Sequence, residues 1–254
     1  MTSRPALAGI QSILLDIEGT TTPIAFVHDV LFSYARSRVR DYLIQHSSSE
    51  ELLTDLAELR SEYEADLKAD LRPPAIVDGP DGPEIDSVVA YICWLIDQDR
   101  KSTGLKVLQG KIWKQGYRDG TLKAQLFADV APALERWFGA GLKISIFSSG
   151  SSLAQKLLFA HTDAGDLTRF IDNYFDTRVG AKAEAESYRQ IAAAIALPVS
   201  EVLFISDVVS ELCAASEAGM HTLLSVRPGN HPQSQAENYQ IIRSFDEVRL
   251  SDNL

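Results

Sequence analysis

Residues 12–22 read SILLDIEGTTT, an apolar run that ends in Asp16, Glu18 and three threonines. A run that is apolar almost throughout, rather than alternating, fits a strand covered on both faces, as in a parallel sheet. Four further runs share the design: KISIF (143–147), IDNYF (171–175), VLFIS (202–206) and TLLSV (222–226). Segments with helical spacing or composition lie between these four. Leu153, Leu157 and Leu158 mark one, the Ala-rich stretch from Glu184 to Ala196 another, and Val209 to Glu217 a third. Strand alternating with helix predicts an α/β fold with a Rossmann-like core, a parallel sheet flanked by helices.

The interval between the first run and the second breaks this rhythm. A crossover needs a dozen or so residues, yet more than 100 intervene here. Three apolar stripes at helical spacing fill the interval. They are Val27, Val30, Leu31, Tyr34, Val39, Tyr42 and Leu43; then Leu52, Leu53, Leu56, Leu59, Tyr63 and Leu67; then Ile85, Val88, Val89, Ile92, Leu95 and Ile96. The Pro/Gly-rich stretch RPPAIVDGPDGPE (72–84) reads as a loop between helices. The expected organisation is a core of residues 1–22 and 126–254, with a helical cap domain of residues 23–125 inserted after the first strand.

Composition bounds the partners. The chain has 254 residues, 45% of them hydrophobic and 23% charged, enough for a core without disulfides or structural metal. Lys and Arg number 24 against 35 Asp and Glu, a net charge of −11, which repels nucleic acid and anionic membrane surfaces at long range. No apolar run reaches the ~20 residues that span a bilayer. The N-terminal MTSRPALAGIQS lacks the apolar stretch of a signal peptide, so a cytoplasmic location is expected. Cys93 and Cys213 are too few for a disulfide framework and read as reduced, buried thiols.

In open α/β sheets, ligands bind where the strands end at their carboxyl side. Asp16 and Glu18 follow the first run, Ser148 and Ser149 the second, and Ser206-Asp207 the fourth, with Glu211 shortly after; Lys182 precedes the Ala-rich helix. This set suits phosphoryl transfer. A carboxylate can attack phosphorus and split one slow hydrolysis into two steps. An anionic nucleophile facing an anionic ester needs a cation, and Mg²⁺, which takes a few oxygens plus water and phosphate, suits Asp16, Glu18 and Asp207. Ser148 and Ser149 offer donors to phosphate oxygens, and Lys182 a point charge.

Each residue also has a plainer reading. Asp16 could be a turn former, Ser148, Ser149 and Ser206-Asp207 helix caps, and Lys182 a solvated surface charge. The order of all four features on successive strand ends is what favours chemistry. The five histidines show no paired spacing, and Trp94, Trp113 and Trp137 read as packing anchors. Arg100, Lys101 and Lys106 are equally well read as substrate contacts from a mobile lid or as a solvated helix face.

Asp16-Ile-Glu18-Gly-Thr20, the hydroxyls after the second strand, Lys182 and the S-D-x-x-x-E of 206–211 resemble, in order, the four motifs of the haloacid dehalogenase superfamily. Its phosphatases usually carry aspartate where this chain has Glu18. The strings LLDIEGTTTPIAFVHDVLF, DRKSTGLKVLQGKIWKQGY (99–117), FADVAPAL (127–134), SSGSSLAQKLLF (148–159) and SYRQIA (187–192) are similar to the acireductone synthase (enolase-phosphatase) family of methionine salvage. The resemblance covers nearly the whole chain. It implies a Mg²⁺-dependent, monomeric enzyme that enolises and dephosphorylates a small phosphate ester, 2,3-diketo-5-methylthiopentyl 1-phosphate. It places the nucleophile and a metal ligand at Asp16, acid/base and metal roles at Glu18 by side chain or backbone, a metal ligand at Asp207, and substrate binding at Ser148, Ser149 and Lys182. A plain phosphatase on the same core, or a non-catalytic binding module, are the alternatives.

Overall fold

The computed structural model describes residues 7–80, 82–98, 100 and 102–250. The chain forms two compact units, Met1–Val27 with Lys123–Leu254, and His28–Leu122.

In the first unit the apolar runs become strands β1 (Ser12–Leu15), β4 (Lys143–Phe147), β5 (Asn173–Phe175), β6 (Val202–Ser206) and β7 (His221–Ser225). A short edge strand, β8 (Ile241–Ile242), was not expected from the sequence; two residues are too few to show a period. Among the described residues these form one six-stranded sheet in the order β5-β4-β1-β6-β7-β8, with every pairing parallel. All residues of β1 and β6 are buried, which accounts for their lack of alternation. Helices α5 (Val130–Gly139), α6 (Ser152–Ala160), α7 (Ala185–Ala194) and α8 (Val209–Ala218) connect and flank the strands. Tyr188 of α7 is fully buried with its ring 5.1 Å from Phe204 and 5.6 Å from Phe147, tying that helix to the sheet centre. Gly219, at φ 104°, ends α8 in the left-handed conformation that glycine adopts without steric cost.

The order places the functional rim. From β1 the chain passes to β4 and then β5 on one side, then returns to β6 and moves outward to β7 and β8 on the other. The connections that leave β1 and β6 therefore diverge, and the gap between their carboxyl ends is the switch point where α/β sheets bind ligands. β1 and β6 are paired in register, Leu15 opposite Ile205, so Asp16 and Ser206-Asp207 emerge side by side.

The second unit holds helices α1 (Ser33–His46), α2 (Glu50–Lys68), α3 (Ile85–Asp97) and α4 (Thr103–Arg118). The expected loop 72–84 contains a small hairpin, β2 (Asp78–Gly79) with β3 (Gly82–Pro83). Val39, Leu43, Leu52, Leu59, Val88, Ile92 and Leu95 are buried as their stripes predict, but Leu53 and Leu67 are exposed. Asp55 and Asp66 take buried positions on α2 instead. Both carboxylates are paired: Asp55 with Lys111 at 2.6 Å, and Asp66 with Arg100 at 2.6 Å and the Tyr91 hydroxyl at 2.9 Å. Apolar periodicity cannot foresee a buried acid whose partner lies on another helix. Arg100 is thus committed within its own unit; Lys106 is half-buried, and Lys101 lies outside the described residues. Trp113 and Trp137 are buried as packing anchors, whereas Trp94 is half-buried. The cysteines differ from expectation: Cys93 is half-buried and Cys213, on the outer side of α8, is exposed.

Candidate active site

The turn after β1 is built from its own backbone. Thr20, Thr21 and Thr22 all direct their N–H groups to the Ile17 carbonyl, at 3.2, 2.9 and 2.9 Å, and the Thr21 hydroxyl donates to the Ile17 and Asp16 carbonyls. The turn requires glycine at its apex. Gly19 has φ 70°, and a Cβ there would overlap the Asp207 carboxylate. The chain thus brings the turn against Asp207, with Asp16 and Asp207 4% and 7% exposed. Glu18 is half-buried beside them.

Lys182 reaches this cluster from the loop before α7. Its carbonyl accepts from the Tyr188 hydroxyl at 2.7 Å, and the adjacent Ala181 carbonyl accepts from Ser187 Oγ at 2.7 Å, so two buried residues of α7 fix the loop. Lys182 Nζ lies 2.5 Å from Asp16 Oδ1 and 2.8 Å from Glu211 Oε2. Ser206 Oγ donates to Glu211 Oε2 at 2.9 Å and accepts from the Val208 N–H at 3.1 Å. Burial works against the lysine's charge, but Asp16 and Glu211 outweigh it and hold the ammonium above its usual range. Lys182 is not a solvated surface charge.

One lysine does not balance four carboxyl groups. Burial first, then the charges of Asp16 and Glu211, push Asp207 up to about 7; Lys182 opposes this and Glu18 adds to it. Glu211 is pushed up as well, by burial and then by Asp16, against the pull of Lys182. Buried oxygens with excess negative charge are a fitting environment for a hard divalent cation. Among the described residues no three Asp, Glu, His or Cys side chains form a ready metal cage. Asp16 and Asp207 are the buried aspartates of this cluster, with Glu18 half-buried beside them, and Mg²⁺ takes one or two carboxylates and fills its other positions with carbonyl, water or phosphate oxygens.

Ser148 and Ser149 follow β4 and are half-buried. The N-cap of α6 is Ser151, whose hydroxyl accepts from the Ala154 N–H at 3.3 Å. Ser148 Oγ accepts instead from the Gly150 N–H at 3.2 Å within the strand-end turn. Neither serine caps the helix, and Asp207 does not cap α8. On the same rim Asp176 is held down to about 2. Burial opposes this, but bonds from Arg178 and from the N–H and hydroxyl of Ser152 prevail.

Sequence reasoning missed the other wall of the turn, the loop Arg227-Pro-Gly-Asn230 after β7. Arg227 is 5% exposed, with its guanidinium 4.8 and 4.7 Å from the Phe127 and Phe245 rings. It pairs with Asp129 at 2.8 Å and donates to the carbonyls of Thr20 (3.2 Å) and Arg243 (2.9 Å). Asn230 Nδ2 donates to the Gly19 carbonyl at 2.9 Å and the Ser225 carbonyl at 3.3 Å. The signal was a Pro-Gly-Asn turn at a strand's carboxyl end, beside the rim already under suspicion.

Comparison with known proteins places the chain among related sequences and folds. A family model described as a haloacid dehalogenase-like hydrolase matches residues 10–219. The enolase-phosphatase E1 of Synechococcus elongatus is 52% identical over 244 residues, 96% of this chain and 100% of that protein. The enolase-phosphatase E1 of Pectobacterium carotovorum is 44% identical over 96% of this chain and 98% of its own length. Among solved structures, the UTR4 protein of Saccharomyces cerevisiae superposes with a TM-score of 0.76 at 34% identity, covering 94% of this chain and 99% of that one.

Proposed function

This chain belongs to the haloacid dehalogenase-like hydrolases and, within them, to the enolase-phosphatases, and from that premise we propose how its residues divide the work. The enzyme converts 2,3-diketo-5-methylthiopentyl 1-phosphate to the acireductone 1,2-dihydroxy-3-keto-5-methylthiopentene and phosphate, in methionine salvage. The observation that carries the assignment of residues is the buried cluster in which Lys182 bridges Asp16 and Glu211 beside Asp207.

Asp16 is the nucleophile. One carboxylate oxygen forms a bond to phosphorus as the ester P–O bond breaks, and the leaving enol oxygen takes a proton. Water then attacks the aspartyl phosphate, releasing phosphate and restoring Asp16. Lys182 holds Asp16 in place before attack and faces the phosphoryl oxygens as their charge spreads. Ser148 and Ser149 bind the phosphate by hydroxyl and backbone donors. In the enolisation a proton leaves carbon and another reaches the ketone oxygen. We assign the carbon proton to Glu18, half-buried where Asp16 and Asp207 are buried.

Asp16 and Asp207, with Glu18 beside them, would hold Mg²⁺. When bound, the ion supplies positive charge that offsets the repulsion between carboxylate and phosphate and polarises a substrate oxygen. We further propose that the helical unit His28–Leu122 serves as the cap that selects the substrate, and that the enzyme is a cytoplasmic monomer. Among the described residues no helix is long and apolar enough to cross a membrane.

Two variants test the division of labour. Asp16→Asn should abolish phosphate release, because an amide does not form the aspartyl phosphate. Glu18→Gln should abolish formation of the enol. Enol formation unchanged while phosphate release is lost would exclude Glu18 as the base.

A further inference from the structure

The Gly19 apex is bordered by two oxygens from different strand ends. A Cβ placed there would overlap Asp207 Oδ2 and stand 3.1 Å from Asn230 Oδ1. The two oxygens thus border the same small space at the apex of the turn that follows Asp16.

The orientation of the Asn230 amide follows from its neighbours. Its nitrogen meets two backbone carbonyls, Gly19 O and Ser225 O, which only accept hydrogen bonds. A flipped amide would set oxygen against both. The oxygen therefore points toward Asp207, and there it is buried and has no hydrogen-bond partner. A buried amide oxygen left without a donor is destabilising, so a donor that reaches it is favoured. Asp207 does not satisfy it as a carboxylate, because both oxygens only accept.

We propose that Asn230 is a positioning residue for the divalent-cation site, its nitrogen clamping the turn after Asp16 and its oxygen accepting a hydrogen bond from water carried by the cation. This rests on the assignment of Asp16 and Asp207 as the cation's carboxylates. Hydrated Mg²⁺ brings polarised O–H donors into a site otherwise rich in acceptors, which answers the chemistry of the orphaned oxygen. Arg227 completes the frame: it grips the next carbonyl, Thr20 O, and is itself fixed by Asp129 and two aromatic rings. The turn is held by donors from one loop at consecutive carbonyls, and Asn230 alone of these presents a free acceptor toward Asp207.

The test is titration of Mg²⁺ alone, without substrate, into the full-length protein, read by calorimetry and by the shift in thermal midpoint. Circular dichroism in chelator confirms the fold of each variant. Asn230→Ala should weaken Mg²⁺ affinity about 10-fold or more, in the range usual for lost outer partners of a metal site. Asn230→Asp loses the clamp but keeps an acceptor, so its affinity should stay within about fivefold of the wild type or exceed it. Should Asn230→Ala not fold, Asn230→Ser replaces it, with the same expectation. Affinity of the alanine or serine variant within about fivefold of the wild type overturns the inference while leaving the cation site standing. Equal weakening in the aspartate variant also overturns it, because the clamp alone would then explain the effect. Failure of the wild-type protein to bind Mg²⁺ overturns the cation assignment, and this inference with it.

Discussion

Lys182 Nζ sits 2.5 Å from Asp16 Oδ1 and is 12% exposed in its side chain, although the two residues are carried by different strand-to-helix connections. The contact joins the proposed nucleophile to the lysine proposed to face its phosphate. It also makes Lys182 the cation that lets Asp16 and Glu211 share a buried site.

Replacing Lys182 with Met keeps most of the stem and removes the charge. Two buried carboxylates then face each other unpaired, a loss of about 3–5 kcal/mol when one partner of a buried pair is removed. The thermal midpoint in chelator should fall by roughly 10 °C for a chain of this size, and phosphate release should fall by about 100-fold or more. A variant that melts with the wild type would show that the ammonium is not the counter-charge of this cluster.

Gly19→Ala tests the turn. The left-handed φ of 70° costs an alanine about 1–2 kcal/mol, and its methyl would displace the Asp207 carboxylate. Misplacement of that order lowers kcat by about 100-fold, with the Mg²⁺ concentration needed for half-maximal rate rising at the same time. Unchanged Mg²⁺ dependence would separate Gly19 from the cation site.

The carboxyls of Asp207 and Glu211 set a pH signature. Asp207 lies near 7 in the fold against 3.8 for an unperturbed aspartate, so between about pH 4 and 7 the folded state binds more protons than the unfolded one. Stability from this source is therefore present below pH 4 and is lost as pH rises through 7. In chelator the thermal midpoint should decline from pH 5 to pH 7.5. Mg²⁺, which takes the proton's place, should flatten the decline, and Asp207→Asn should flatten it without Mg²⁺. A wild-type slope in chelator identical to that of Asp207→Asn would refute the assignment.

The strands and the rim were legible from residues 12–22 because a doubly covered strand has no alternation to obscure it, and because strand ends of a parallel sheet share one side. Ser148, Ser149 and Asp207 were ambiguous with helix caps. The structure resolves that ambiguity through Ser151, which caps α6 itself, and Val208, which leaves α8 without a side-chain cap. Lys182 could be suspected from order along the chain, but its burial depends on Ser187 and Tyr188 fixing its loop. Asp55 and Asp66 were invisible to a hydrophobic stripe because their partners, Lys111, Arg100 and Tyr91, lie on or beside other helices. Asn230 escaped for the same reason: a hydrogen bond to a backbone carbonyl 211 residues away leaves no local pattern.

The decisive measurement is an assay of the purified protein on 2,3-diketo-5-methylthiopentyl 1-phosphate, following phosphate release and acireductone absorbance together, with Mg²⁺ and with chelator. Both signals should rise with Mg²⁺ and both should be lost in chelator. Phosphate release without acireductone would mean a plain phosphatase, and silence in both with Mg²⁺ present would mean a binding module on this fold; either result contradicts the enolase-phosphatase assignment.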